Sequence, residues 1–294
     1  MRKPLRRAAA LLLGSFLLLS GCTVSDVLQS YQIDPPPAQV QQTGSASVHY
    51  IDVGQGDATL IQTAGKNILI DSGTRASSDI LLNYLKAQGV TELELCVATH
   101  PHEDHIGGMP DVINEFTVKE LYMPTKTTTT KIFQSMVETA QQRSVTITPA
   151  KVGDTFTIGD ASLQVLFPDR EYKDLNNNSV TIQLSLGGKT FLFTGDNEKE
   201  SESAIVSNFG NALKSDVFQA GHHGSDTSNT AGFLQLVSPS IIVISCGEGN
   251  SYGHPHEKVL QRFDQLGAAV YRTDLDGTIV ITIDNGTLSV QKGA

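Results

Sequence analysis

Mixed α and β structure, with sheets covered by helices on the outside, is the fold class this sequence predicts. Three observations carry it. From Val48 onward, strand-like and helix-like segments alternate. One strand-like run, residues 93–98 (LELCVA), is nearly continuous in apolar side chains, the pattern of a strand buried on both faces. The chain has 294 residues, 39% hydrophobic and 18% charged, enough to bury one sizeable core, and it shows no repeat of fixed period.

The elements follow in order. Residues 47–53 (SVHYIDV), 58–63 (ATLIQT) and 67–71 (NILID) alternate as strands, the last two joined by a turn at Gly65-Lys66. Residues 77–89 (SSDILLNYLKAQG) carry a serine cap, apolar helical spacing and a glycine stop. After the apolar strand, residues 107–116 and 129–143 read as helices. Residues 154–159, 161–167, 179–186 and 190–195 then read as strands, two of them flanking a hairpin turn at Gly187-Gly188. A helix from about Asn197 to Ser207, strand 216–221, a short helix, strand 241–245 and helix 256–267 come next. Residues 271–273, 278–283 and 288–292 close the chain as strands. One domain is expected over 47–294.

The N-terminus reads as an address. Arg2, Lys3, Arg6 and Arg7 precede an apolar run, Ala8 to Leu19, that is too short for the ~20 residues a bilayer-spanning helix needs. Residues 1–21 therefore read as an export signal. Leu19-Ser20-Gly21-Cys22 resembles a bacterial lipobox, which places a lipid on Cys22 and the protein on the extracytoplasmic face of the cell membrane. Residues 22–46, with Pro35-Pro36-Pro37, read as the spacer between that anchor and the domain. Losing residues 1–21 removes four positive charges and no negative ones, taking the formal charge from −10 to −14. So acidic a chain is a poor non-specific binder of nucleic acid. The other two cysteines, Cys96 and Cys246, close apolar strands and read as buried thiols. Gly188-Lys189-Thr190 looks like the end of a phosphate loop, but the glycine that motif needs upstream is Gln183, so no nucleotide cofactor is expected.

Chemistry is concentrated in the histidines. Seven of the eight lie in three clusters: His100, His102 and His105; His222 and His223; His254 and His256. Each cluster follows an apolar strand, where a loop projects side chains from a rigid sheet edge. Imidazole is the commonest protein ligand for borderline transition metals. The run His100-Pro101-His102-Glu103-Asp104-His105 presents three imidazoles and a carboxylate too closely spaced to wrap one ion. It can serve two neighbours, His100 and His102 for one, Asp104 and His105 for the other. Gly107-Gly108 permits close backbone approach. His49 lies in a strand and reads as structural, and His256, ahead of a helix, reads as a cap or surface residue.

At this point the chain resembles the metallo-β-lactamase superfamily, through His-x-His-x-Asp-His after an apolar strand, Asp71-Ser72-Gly73, Thr194-Gly195-Asp196 and Gly221-His222-His223-Gly224-Ser225. More narrowly, Asp52-Val53-Gly54-Gln55-Gly56-Asp57, Asn177-Asn178-Ser179 and Tyr252-Gly253-His254-Pro255 are similar to the extracellular hydrolase domain of ComEC-type competence proteins, without their membrane-channel portion. The resemblance implies a four-layer αββα sandwich and two divalent metal ions, zinc or alternatively manganese. It implies metal ligands His100, His102, Asp104, His105, Asp196 and His222, with Asp196 bridging, and places catalysis on Asp104 and His102. It implies a phosphodiester substrate, DNA among the choices.

One departure stands out. The superfamily supplies a third histidine to the first metal site, and this chain has none between His105 and His222. Asn177, Asn178 and Ser179 stand there instead. His223, His254, Asn178, Asp57 and Asp71 are accordingly further candidates for the site, Asp71 as an orienting partner of a ligand imidazole. Of the adjacent pair, one histidine is expected to bind metal, with His222 preferred. The missing histidine leaves a second class of function open, a degenerate metal- or DNA-binding module of the same fold. Protein partners are not indicated.

Overall fold

The computed structural model describes residues 46–293. The export signal, Cys22 and the spacer lie outside the described residues. No helix among those described is long and apolar enough to cross a membrane.

Two large sheets form the middle of the molecule. In the first, the strands lie in the order Thr287–Lys292, Ile279–Asp284, Ala46–Tyr50, Thr59–Thr63, Lys66–Ile70, Leu95–Val97, Glu120–Met123 and Thr146–Pro149. In the second, the order is Ala269–Arg272, Ile241–Ile244, Val217–Gln219, Lys189–Phe193, Thr181–Leu186, Ala161–Phe167 and Thr155–Ile158. Each sheet begins as antiparallel hairpins and continues as parallel strands. The parallel part of each needs helical crossovers, and these cover its outer face.

Side-chain alternation sorts the residues into layers. Ile61, Ile68, Leu95 and Val97 from the first sheet meet Val165, Ile182, Phe191 and Phe193 from the second in a central core. Their neighbours Leu60, Leu69 and Cys96 point the other way, onto helices Ser78–Ala87, Met109–Glu115 and Lys131–Gln142, through Leu81, Leu85, Val112 and Met136. Leu192, Phe218 and Ile242 do the same on the far side, against Ile205, Phe233 and Phe263. Period-two alternation thus yields helix, sheet, sheet, helix, the four-layer sandwich. Cys96 and Cys246 are free thiols buried in different outer cores.

The sequence reading missed the strands Glu120–Met123 and Thr146–Pro149. Both are four residues long, and the second is a partly exposed edge strand ending in Pro149, where proline costs no ladder bond. Gly188-Lys189-Thr190 sits in and after a hairpin turn, and its Thr190 N–H donates to Asp216 Oδ2 at 2.9 Å. His49 is buried in the first sheet, between Ser47 Oγ at 2.7 Å and Tyr84 Oη at 2.8 Å.

Candidate metal centre

Parallel strands of both sheets end at one edge of the sandwich, and the histidine loops leave from those ends. Strand Lys66–Ile70 delivers Asp71, and its parallel neighbour Leu95–Val97 delivers the Thr99–Ile106 loop. In the second sheet, Lys189–Phe193 delivers Asp196, Val217–Gln219 delivers His222 and His223, and Ile241–Ile244 delivers Ser245 and the loop to His254.

Asp71 builds the first loop. Its backbone is left-handed, with φ at +58°. One carboxylate oxygen accepts from Thr99 N–H at 2.8 Å, and the other accepts from Thr99 Oγ1 at 2.7 Å and lies 2.7 Å from His105 Nδ1. That contact turns His105 Nε2 toward Asp196. Gly107 admits the loop to its seat: a Cβ there would lie 2.2 Å from Arg75 N and 2.5 Å from Glu103 O.

On the opposite side, residues 176–179 frame Asp196. Ser179 Oγ accepts from Asp196 N–H at 3.1 Å. Asn177 Oδ1 accepts from Glu198 N–H at 3.2 Å and Ser201 N–H at 3.1 Å, pinning the start of helix Lys199–Phe209. Asn178 is committed elsewhere. It accepts from Tyr172 N–H at 2.8 Å and donates to the carbonyls of Tyr172 and Asp174. Asn178 therefore braces a loop, with its amide oxygen turned to backbone.

His222 and His223 both have left-handed backbone, φ +52° and +54°, a costly pairing for non-glycine residues. It turns both rings to Asp196, whereas the sequence singles out one of the pair as a ligand. His223 Nε2 lies 3.3 Å from Asp104 Oδ2 and 3.7 Å from Asp196 Oδ1. Its Nδ1 donates to the Ser245 carbonyl at 3.0 Å, with Asp57 Oδ1 3.2 Å away, so a backbone carbonyl stands to His223 as Asp71 stands to His105. His222 Nε2 lies 3.5 Å from the other oxygen, Asp196 Oδ2.

The two oxygens of Asp196 therefore face two sets of donors. Oδ1 faces His105 Nε2 at 3.2 Å and His223, with Asp104 beside them. Oδ2 faces His100 Nε2 at 3.6 Å and His222, and His102 Nδ1 lies 2.9 Å from His100 Nε2. Beside Asp104 and His105 the fold puts His223 rather than the preferred His222. His222 stands instead on the side that lacks the superfamily's third histidine. No spacing rule distinguishes adjacent residues of this kind; the left-handed turn does.

These groups fit a cation. His105 Nε2, His223 Nε2 and Asp196 Oδ1 are buried with no hydrogen-bond partner, although they converge. Burying three such atoms unpaired is expensive, and imidazole with carboxylate is the donor set of zinc-like ions. The same groups perturb one another's charge. Burial works against charge on Asp196, but His105, His223 and His222 outweigh it and hold its carboxyl well below the usual range. Burial opposes protonation of His105 too, and the Asp196 and Asp71 carboxylates overcome it, raising that imidazole well above its ordinary value. Burial, helped by His105, keeps His100 well below its own.

The remaining residues take supporting places. His254 is nearly buried on a cavity of about 440 Å³ that opens over Asp104 and Asp196, its ring 5.5 Å from that of His222. Burial and the neighbouring histidines lower its pKa to about 4. His256 is the residue before helix Glu257–Leu266, but its side chain accepts from Asp226 N–H at 2.9 Å and caps nothing. Two supports escaped the sequence reading. Asn229 accepts from Gly221 N–H and donates to its carbonyl, at 3.0 and 2.8 Å, and buried Glu202 accepts from Asn229 and Thr230 N–H. A single sequence gives no signal for either, because their role lies in contacts 8 and 27 residues away.

A sequence model described as the Metallo-beta-lactamase superfamily matches residues 51–248. ComE operon protein 3 of Bacillus subtilis is 33% identical over 269 residues, covering 84% of this chain and 34% of that protein. Competence protein ComA of Neisseria gonorrhoeae is 31% identical over 249 residues, covering 84% and 34%. Recombination protein 2 of Haemophilus influenzae is 30% identical over 251 residues, covering 83% and 30%. The chain spans about a third of the length of these relatives. Among solved structures, the metallo-β-lactamase fold protein YhfI from Bacillus subtilis superposes with a TM-score of 0.56 at 12% identity, over 81% of this chain and all of that one. CmlA, a diiron β-hydroxylase from Streptomyces venezuelae, superposes with a TM-score of 0.56 at 13% identity, over 88% and 59%. These two likenesses concern the fold.

Proposed function

The chain belongs to the metallo-β-lactamase superfamily, as a metal-dependent hydrolase related to competence proteins, and from that premise we propose that it cleaves phosphodiesters, single-stranded DNA among them, with a pair of divalent cations, zinc or manganese. The observation that carries the reading is the division of Asp196 between two donor sets. His100, His102, His222 and Asp196 Oδ2 would hold one cation. Asp104, His105, His223 and Asp196 Oδ1 would hold the other. Such a pair supplies Lewis acidity at the phosphoryl oxygens and a water of lowered pKa. The chain's own contribution is placement. Asp71 and the Ser245 carbonyl fix the rings of His105 and His223. Asp104, beside the cavity, accepts a hydrogen bond from the attacking water and orients it. The names of the relatives, concerned with competence and recombination, favour a nucleic-acid substrate over a lactam.

On the reading of residues 1–22, the hydrolase works outside the cytoplasmic membrane on a lipid tether. Replacing Cys22 with Ser should then move it from the membrane fraction to the soluble one.

The test is purified chain loaded with zinc or manganese, assayed against a single-stranded oligonucleotide and bis(p-nitrophenyl) phosphate. Cleavage of both, abolished in the His102→Ala/Asp104→Ala double variant with the fold retained, is expected. Full turnover in that variant would refute the mechanism. Metal content near one equivalent or none, without turnover, would favour the degenerate binding module.

A further inference from the structure

Tyr252 is 63% exposed, and one face of its ring is covered. Its ring stacks on His254 at 5.6 Å between centroids and 22° between planes. His254 is itself fixed. Asn250 accepts from His254 N–H at 3.0 Å and donates to the carbonyls of His254 and Gly247, at 2.6 and 2.9 Å. Pro255 packs so closely on Gly224 that a Cβ there would lie 2.6 Å from the proline ring. One face of Tyr252 thus rests on a rigid base and the other is open, on the wall of the cavity that holds Asp104 and Asp196. Beneath it, His254 Nδ1 is buried and has no hydrogen-bond partner.

The same wall is unusual for a site that receives a polyanion. Among the described residues lining it there is no lysine or arginine, and Glu103 adds a carboxylate. Inside the cavity a phosphate therefore meets no side-chain cation. An uncharged contact can supply discrimination there, and an aromatic ring backed on one side offers its other face to a planar partner at low entropic cost. A base inside a duplex is already stacked on both faces; a base in a single strand is free to splay onto the ring.

We infer that Tyr252, backed by His254, is a stacking platform for the nucleobase next to the scissile phosphate, so that the site selects base-bearing single strands over phosphodiesters without a planar substituent. The inference rests on the phosphodiesterase reading and sharpens its substrate class. In this arrangement Tyr252 sets specificity and takes no part in bond cleavage.

The experiment measures binding of two fluorescein-labelled, phosphorothioate-linked hexamers to the metal-loaded full chain by anisotropy. One is a thymidine hexamer, and the other carries abasic tetrahydrofuran units throughout. The chain should bind the thymidine hexamer about ten-fold or more tightly than the abasic one. Tyr252→Ala should lose that preference and Tyr252→Phe should keep it. Affinity for the thymidine hexamer should fall less steeply with salt than for a protein with several phosphate-binding lysines. Equal binding of the two probes, no binding of either, or an undiminished preference in Tyr252→Ala would overturn the platform. Cleavage of the phosphate-linked hexamers, measured separately, keeps the two readings apart. Turnover without base preference sinks the platform alone, and base preference without turnover sinks the hydrolase reading alone.

Discussion

Replacing Asn178 with Ala separates a brace from a ligand. In the fold its amide oxygen accepts from Tyr172 N–H at 2.8 Å, and its amide nitrogen donates to the Tyr172 carbonyl at 3.1 Å and to that of Asp174. Asn178 is 1% exposed and Tyr172 4%, so water does not replace these bonds. An unpaired buried N–H costs about 1–3 kcal/mol, and two carbonyls that lose their donor add to it. The expected loss is about 3 kcal/mol, or roughly 10 °C in melting temperature for a domain of this size. Metal content should be unchanged, because the amide is committed to the Tyr172 and Asp174 backbone. The assay is a thermal melt beside metal analysis on the same sample. A variant that melts like the parent but carries one metal fewer would refute the reasoning and make Asn178 the ligand that stands for the missing histidine.

His49 predicts a pH dependence. Burial lowers its pKa from 6.5 to about 4, so the fold holds it neutral while the unfolded chain binds a proton below 6.5. Its contribution is present above pH 6.5 and is lost as pH falls toward 4. The total is about 3 kcal/mol. Urea midpoints should therefore fall less between pH 7 and 4.5 in His49→Gln than in the parent; parallel curves would contradict this. Gly107→Ala places a methyl against the Arg75 and Glu103 backbone. It should destabilise by about 3 kcal/mol and reduce metal uptake, read by denaturation and metal analysis. His222→Ala and His223→Ala should each weaken a different cation, so that zinc titrations of both variants show one site retained; loss of both sites from either change would contradict the division.

Much of this was legible in the residues. Leu95, Cys96 and Val97 are apolar on both faces because a helix layer and a second sheet cover them, and the sequence carries that pattern openly. His100, His102, Asp104 and His105 lie within six positions, and the fold brings all four to Asp196 or its neighbours. What stayed hidden depends on geometry without a local signature. The exchange of His222 and His223 follows from two consecutive left-handed residues. The role of Asn178 follows from a loop six residues upstream. Glu202 looks like any acidic helix residue until the Asn229 backbone meets it. The edge strand Thr146–Pro149 is half polar because one side of it faces solvent.

Crystals of the full chain grown with zinc and measured at the zinc absorption edge bear most directly on the account. It predicts two anomalous peaks, one against each oxygen of Asp196, the first among His100, His102 and His222 and the second among Asp104, His105 and His223. A lone peak, or peaks whose neighbours exclude Asp196, would contradict it.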